Sequence, residues 1–157
     1  MKKLLVALFS LTLFVSCVSS DKDSSSEPAK DYKEQNEQEI KDYIAKNNLT
    51  AQRSASGLYY IINEPGTGKQ PTATSSVTVA YTGSFTSGKT FDQSTSAGIT
   101  FPLNQVIQGW TEGIPLFKEG GSGTLLIPAH LGYGSYDRGG IPAGSVLIFD
   151  VKLIKVN

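Results

Sequence analysis

From residue 57 to 157 the chain is a succession of short β-patterned runs, cut every few residues by glycine or proline, and only one interval can be helical. GLYYIINEPG is rich in β-branched and aromatic residues and stops at Pro65-Gly66. SVTVAYTGSF alternates, placing Val77, Val79 and Tyr81 on one face. TSGKTFDQS turns at Ser87-Gly88 and resumes as a strand, and ITFPL, GTLLIPA and SVLIFDVKLIKV supply three more. The helical interval is 108–117, where Pro115 predicts a first-turn proline or a short, distorted helix. Five or six antiparallel strands with one short helix make an α+β domain. A sheet must cover one face, and here only that helix is available, so a strongly twisted sheet should wrap around it.

Residues 31–48, DYKEQNEQEIKDYIAKNN, predict a separate helix: good helix formers, no Gly or Pro, and charges of both signs. Its apolar stripe is narrow (Ile40, Tyr43 and Ile44), and Asn47-Asn48 supplies a stop. This helix is expected to pack lightly on the domain or to act as a spacer. The chain then divides into a leader (1–16), a tether (17–30), a helical extension (31–50) and a folded domain (51–157).

The leader reads MKKLLVALFSLTLFVSC. Lys2 and Lys3 precede an apolar run at 4–15. That run is short of the roughly 20 residues a spanning helix needs and suits a secretion signal. It ends on Cys17, the only cysteine, which therefore has no internal disulfide partner. Phe14-Val15-Ser16-Cys17 resembles the lipobox of bacterial lipoprotein signals, with Phe14 departing from the usual Leu. Acylation of Cys17 would anchor the chain to a membrane without spanning it. The resemblance implies a bacterial cell envelope, with an outer-membrane anchor as the expected location. The Ser-rich stretch that follows cannot bury enough apolar surface to offset its ordering entropy, so it is expected to be disordered. Loss of Lys2 and Lys3 turns an even charge balance slightly acidic, which excludes a nucleic-acid surface.

Most catalytic chemistries are missing. A single histidine, His130, leaves no pair for a metal, and no CxxC, HExxH or EF-hand spacing occurs. Ser122 in GGSGT is not a nucleophile elbow, and GYGSYDRGG is neither GxGxxG nor a P-loop. Asp92, Glu112, Asp137 and Asp150 show no arrangement for paired-carboxylate work. What remains is a set of aromatics (Tyr81, Phe91, Trp110, Tyr133 and Phe149) with Val106 and Ile107, the composition of a pocket for an apolar group. Trp110, the only tryptophan, lies in QVIQGWTEG between Gly109 and Gly113. Two readings stand: an ordinary core residue, or a pocket floor whose flanking glycines let a ligand approach.

The segments VTVAYTGSFTSGKTFDQS, FPLNQVIQGWTEGIPLFKEGG, LLIPAHLGYG and GGIPAGSVLIFDVKLI together resemble the FKBP-type peptidyl-prolyl cis–trans isomerases over residues 57–157. The resemblance implies a five- or six-stranded antiparallel half-barrel wrapped on a short helix, with a shallow aromatic pocket for a prolyl ring. It implies Trp110 as the floor, with Asp92 and Tyr133 as the polar groups at the edge. Tyr81, Phe91, Val106, Ile107 and Phe149 are implied as walls, with Ile141 in a flap loop. Ile99 stands where many members carry Phe, which would make that wall less aromatic, and the flap lacks the His of some members. The implied partners are proline-containing polypeptides and FKBP-type macrolides, bound without cofactor or metal; the resemblance leaves the oligomeric state open, and a monomer is expected.

No nucleophile is needed for that activity. An Xaa-Pro bond turns over in tens to hundreds of seconds unaided, against a resonance barrier of about 18–20 kcal/mol. Water favours the polar resonance form. An apolar pocket removes that preference and can bind the twisted amide better than either planar isomer. The competing reading is a membrane-tethered chaperone that uses the same groove without turnover.

Overall fold

A computed structural model describes residues 30–157. The leader, Cys17 and all of the tether before Lys30 lie outside the described residues. Among the described residues no helix is long and apolar enough to cross a membrane.

Two helices and seven strands follow in the order α1 (Lys33–Lys46), β1 (Gln52–Arg53), β2 (Tyr59–Glu64), β3 (Ser76–Phe85), β4 (Thr90–Gln93), β5 (Ile99–Pro102), α2 (Gln108–Gly113), β6 (Ser122–Ile127) and β7 (Leu147–Val156). The α+β class and the antiparallel sheet are as expected. The additional strand is the two-residue β1, too short to carry a periodic signal. All strands pair antiparallel in the order β1-β2-β6-β7-β3-β4, and β5 pairs with the first half of β3. The ten-residue strands β3 and β7 run side by side from Val77 opposite Val156 to Phe85 opposite Leu147 and form the spine.

Alternation assigns the two faces. Leu125 and Ile127 of β6 and Leu147, Phe149, Val151 and Leu153 of β7 join Val77 and Val79 in one cluster, which Trp110, Ile114 and Phe117 close from the helix side. The helix is short and distorted, as Pro115 required: α2 ends at Gly113 and tightens into a 3₁₀ turn, Ile114–Leu116, with Pro115 in its first turn. The glycines around Trp110 do something other than open the pocket. A Cβ on Gly109 would lie 2.5 Å from Ile127 Cγ2, and one on Gly113 would lie 2.7 Å from Leu125 Cδ1. Both face the sheet and let the helix backbone settle directly on β6. This corrects the expectation that they keep the tryptophan accessible to ligand.

The opposite face of the sheet carries α1, which is neither lightly packed nor a spacer. Ile40 is fully buried against Tyr59, Leu126 and Val146. Burial of that one side chain contributes about 1.5–3 kcal/mol. Asn36 is also fully buried. On the flank, Glu37 accepts the Tyr59 hydroxyl at 2.7 Å and pairs with Lys41 and Arg53. Partial burial pushes its carboxyl up, but the bonds from Tyr59, Lys41 and Arg53 outweigh this and hold it below the ordinary value. α1 stops where expected: Asn47 is its C-cap and Asn48 takes a left-handed backbone at φ 50°.

Candidate active site

The concave face ends in a cavity of about 570 Å³. It is positioned by three elements: the mouth of β3–β5, the N-terminal end of α2, and the loop from the 3₁₀ turn Ala129–Leu131 to β7. Trp110 is the hub. Its ring lies 5.0 Å from Tyr81, 5.1 Å from Phe149 and 5.2 Å from Phe101, edge-on to the first two. Phe91 packs edge-on against Phe149 at 5.5 Å. Such pairs lock one another's orientation and add about 0.5–1.5 kcal/mol each beyond area burial.

Trp110 is 4% exposed and belongs to the core cluster, yet it also lines the cavity. The two readings of this residue are therefore not alternatives. Its indole N–H is the one buried side-chain polar atom among the described residues that finds no hydrogen-bond partner. The rings packed on Trp110, those of Tyr81, Phe101 and Phe149, offer at most weak acceptors.

The polar edge is sparse. The Tyr81 hydroxyl donates to Asp92 Oδ2 at 2.7 Å, and Asp92 Oδ1 accepts the Gln93 N–H at 2.8 Å. Burial first, and then the bond to Asp92, push the Tyr81 phenol up to about 12. Tyr81 is thus a neutral donor at any physiological pH, and Asp92 is held in one orientation at the rim. Tyr133 lines the cavity with a hydroxyl that has no partner among the described residues, and the backbone N–H of Ile107 is equally unengaged. Val106 and Ile107 form the wall beside them, and Arg138 brings the one cationic side chain to the lining.

Of the residues singled out in the sequence, Tyr81, Phe91, Asp92, Val106, Ile107, Trp110, Tyr133 and Phe149 converge here. Two do not. Ile99 is the first residue of β5 and is 48% exposed, away from the lining. Phe101, two residues along on the same face, takes the wall position beside Trp110. The wall is therefore aromatic after all. Ile141 turns inward and is buried in the core beneath its loop, not in the cavity. Its backbone exchanges both hydrogen bonds with Arg138 at 2.9 Å, which closes the loop tip and aims the side chain in. Phe101 could have been found from the β5 alternation; Arg138, in a glycine-rich loop without period, left no signal.

The other polar candidates serve structure. His130 Nε2 lies 2.8 Å from the Ser56 carbonyl, Glu112 accepts the Ser56 hydroxyl at 2.7 Å, and Asp150 accepts from Thr124 at 2.7 Å. Among the described residues no three His, Cys, Asp or Glu side chains come together as a metal site would need.

Comparison with known proteins agrees with this geometry. The family model of the FKBP-type peptidyl-prolyl cis–trans isomerases matches residues 67–154. A probable FKBP-type isomerase FkpA from Neisseria meningitidis serogroup B is 47% identical over 131 residues, covering 82% of this chain and 47% of the relative. FkpA from Aeromonas hydrophila is 43% identical over 126 residues, covering 78% and 47%. The chain thus spans about half the length of the curated relatives it matches. The crystal structure of Escherichia coli FkpA superposes with a TM-score of 0.71 at 39% identity, over 79% of this chain and 60% of that one. A peptidyl-prolyl isomerase from Pseudomonas syringae gives 0.69 at 31% identity, over 83% and 99%. The sheet wrapped on its short helix, the ring-lined cavity at its open end and the family match over most of that sheet lead to one assignment: this chain belongs to the FKBP-type peptidyl-prolyl cis–trans isomerases.

Proposed function

We propose that the chain accelerates cis–trans rotation of Xaa-Pro bonds in polypeptides of a bacterial cell envelope, held there by a lipid on Cys17. The observation that carries the reading is the cavity itself: Trp110 with Tyr81, Phe91, Phe101, Tyr133 and Phe149 around one space, and Asp92, Gln105, Gln108 and Arg138 as the polar side chains of the lining. A prolyl ring seated on Trp110 leaves water. The imide then loses the solvent that favours its charge-separated, planar form, and its rotation barrier falls. Two unengaged donors, the Ile107 N–H and the Tyr133 hydroxyl, are free to hold the substrate's carbonyl groups as the bond twists. Differential binding of the twisted amide is all the catalysis the site requires. Asp92, fixed by the Tyr81 hydroxyl and the Gln93 N–H, keeps the rim polar.

The test is a protease-coupled isomerisation assay on a Xaa-Pro peptide. Acceleration over buffer supports turnover, whereas saturable peptide binding without acceleration would favour the tethered chaperone. Tyr133→Phe keeps the ring and removes one donor. One hydrogen bond is worth about 0.5–1.5 kcal/mol, so kcat/KM should fall several-fold. An unchanged value would remove Tyr133 from the mechanism. The anchor is tested separately: Cys17→Ser should shift the protein from the membrane fraction to the soluble one, and equal masses and equal fractionation of both forms would refute lipidation.

A further inference from the structure

The loop that carries Tyr133 and Arg138 into the cavity leaves the sheet after β6 and rejoins it at β7. A closed circuit of four hydrogen bonds holds it, and one member comes from outside the loop. Asn36 Oδ1 accepts the Ala129 N–H at 2.8 Å. The Ala129 carbonyl accepts the Gly134 N–H at 2.8 Å, and the Gly134 carbonyl accepts the Gly144 N–H at 2.9 Å. The Gly144 carbonyl accepts Asn36 Nδ2 at 2.8 Å, which completes the circuit. One amide side chain on α1 therefore binds both ends of the loop, and the middle of the circuit is the residue next to Tyr133.

The geometry points to Asn36 as a positioning residue for the isomerase reaction. It touches neither the cavity nor a substrate, and it acts through the placement of Tyr133. The inference rests on the isomerase reading above. Three features favour this role over simple helix docking. Asn36 is fully buried and is the one buried polar or charged residue among the described residues. Its two bonds have opposite polarity, one accepted and one donated, so only a correctly oriented carboxamide fits both. The same end of α1 makes further contacts with the same loop: the Ser135 hydroxyl donates to the Lys30 carbonyl at 2.7 Å, and the Tyr32 ring lies against Gly144, which adopts φ +72°. Ile40, one turn along α1, secures the helix to the sheet through Tyr59, Leu126 and Val146 without entering the circuit.

The chemistry explains why the circuit matters for rate. Tyr133 contributes only if its hydroxyl is already placed when the amide twists, and displacement of a reacting contact by about 1 Å can cost up to about a hundredfold. Removal of the Asn36 carboxamide leaves the Ala129 N–H and the Gly144 carbonyl without partners at both ends of the loop. Two of the four bonds of the circuit are then lost, and the segment around Gly134 is held less closely to one arrangement.

The experiment compares wild type, Asn36→Ala, Asn36→Asp and Ile40→Ala, assayed well below their unfolding temperatures, with amide hydrogen exchange measured on each. Asn36→Ala should lose kcat/KM several-fold, up to the loss seen in Tyr133→Phe, with faster exchange at Ala129, Gly134 and Gly144 and unchanged exchange in β3 and β7. Asn36→Asp keeps the acceptor for Ala129, but once ionised it cannot donate to Gly144 and sets a carboxylate oxygen against that carbonyl, so above its own pKa it should lose at least as much as Asn36→Ala. Ile40→Ala should lower the unfolding temperature yet keep wild-type kcat/KM and slow exchange in the loop. If Asn36→Ala does not fold, Asn36→Asp and the wild-type exchange rates decide: exchange at Ala129 as fast as in an unstructured peptide overturns the inference. So does undiminished turnover in a folded Asn36 variant, or an equal loss in Ile40→Ala. A wild type that fails to accelerate isomerisation refutes the isomerase reading instead, while the exchange pattern still reports on the circuit.

Discussion

Gly109→Val is expected to cost the fold about 3 kcal/mol or more, beyond the usual range for overpacking. The ideal Cβ would stand 2.5 Å from Ile127 Cγ2 and 2.8 Å from Cδ1. Ile127 is fully buried and has nowhere to swing. The helix must therefore lift from β6, and a β-branched residue in its first turn adds a smaller penalty. Trp110 is the next residue, so the lift also dismantles the hub of the cavity. Thermal unfolding followed by near-ultraviolet circular dichroism measures both effects: the midpoint should drop sharply and the tryptophan signal should weaken even before unfolding. A variant with wild-type stability and an unaltered signal would mean that α2 does not sit on β6 as described.

Trp110→Leu is expected to separate binding from folding. Leu keeps an apolar floor but withdraws the ring that Tyr81, Phe101 and Phe149 pack against. Truncation of a buried aromatic to Ala typically costs about 3–5 kcal/mol. With Leu filling part of the space, about 2–3 kcal/mol is expected. The loss is moderated because the substitution also removes an indole N–H that is buried without a partner. Turnover should suffer more than stability, with kcat/KM down by one to two orders of magnitude in protein that remains folded. Loss of the floor deprives the prolyl ring of its contact and removes the one ring that Tyr81, Phe101 and Phe149 share. Urea unfolding and the isomerisation assay on the same preparation give the two numbers. Full activity in the folded mutant would make Trp110 a core residue and nothing more.

Much of this arrangement is legible in the sequence because it rests on local rules. Alternation in SVTVAYTGSF set Val77 and Val79 inward and carried Tyr81 to the cavity on the same face. Pro115 set the length of α2, and Asn47-Asn48 the end of α1. What escaped was long-range. Gly109 and Gly113 look like ligand access until β6 is seen beneath them, because a missing Cβ does not say which neighbour needs the room. Asn36 stands among charged and polar residues on a helix whose apolar stripe is short. Its partners lie 93 and 108 residues away, and no periodicity encodes them. Ile99 and Phe101 share one strand face, and only the position of the strand's end relative to the cavity decides which of them reaches it.

The central claim is that a prolyl ring docks on Trp110 and that rotation is accelerated there. A single tryptophan yields a single indole N–H resonance, so one magnetic-resonance titration can watch both events. Wild-type chain is added to an Xaa-Pro peptide, and exchange between the cis and trans peptide signals is recorded alongside the Trp110 indole signal. The account predicts that the indole resonance shifts saturably with peptide and that exchange accelerates with the same concentration dependence. Acceleration with a silent indole would place the chemistry elsewhere on the molecule. An indole shift with the exchange rate left at its uncatalysed value would make the cavity a binding site without turnover, and either result would contradict the account.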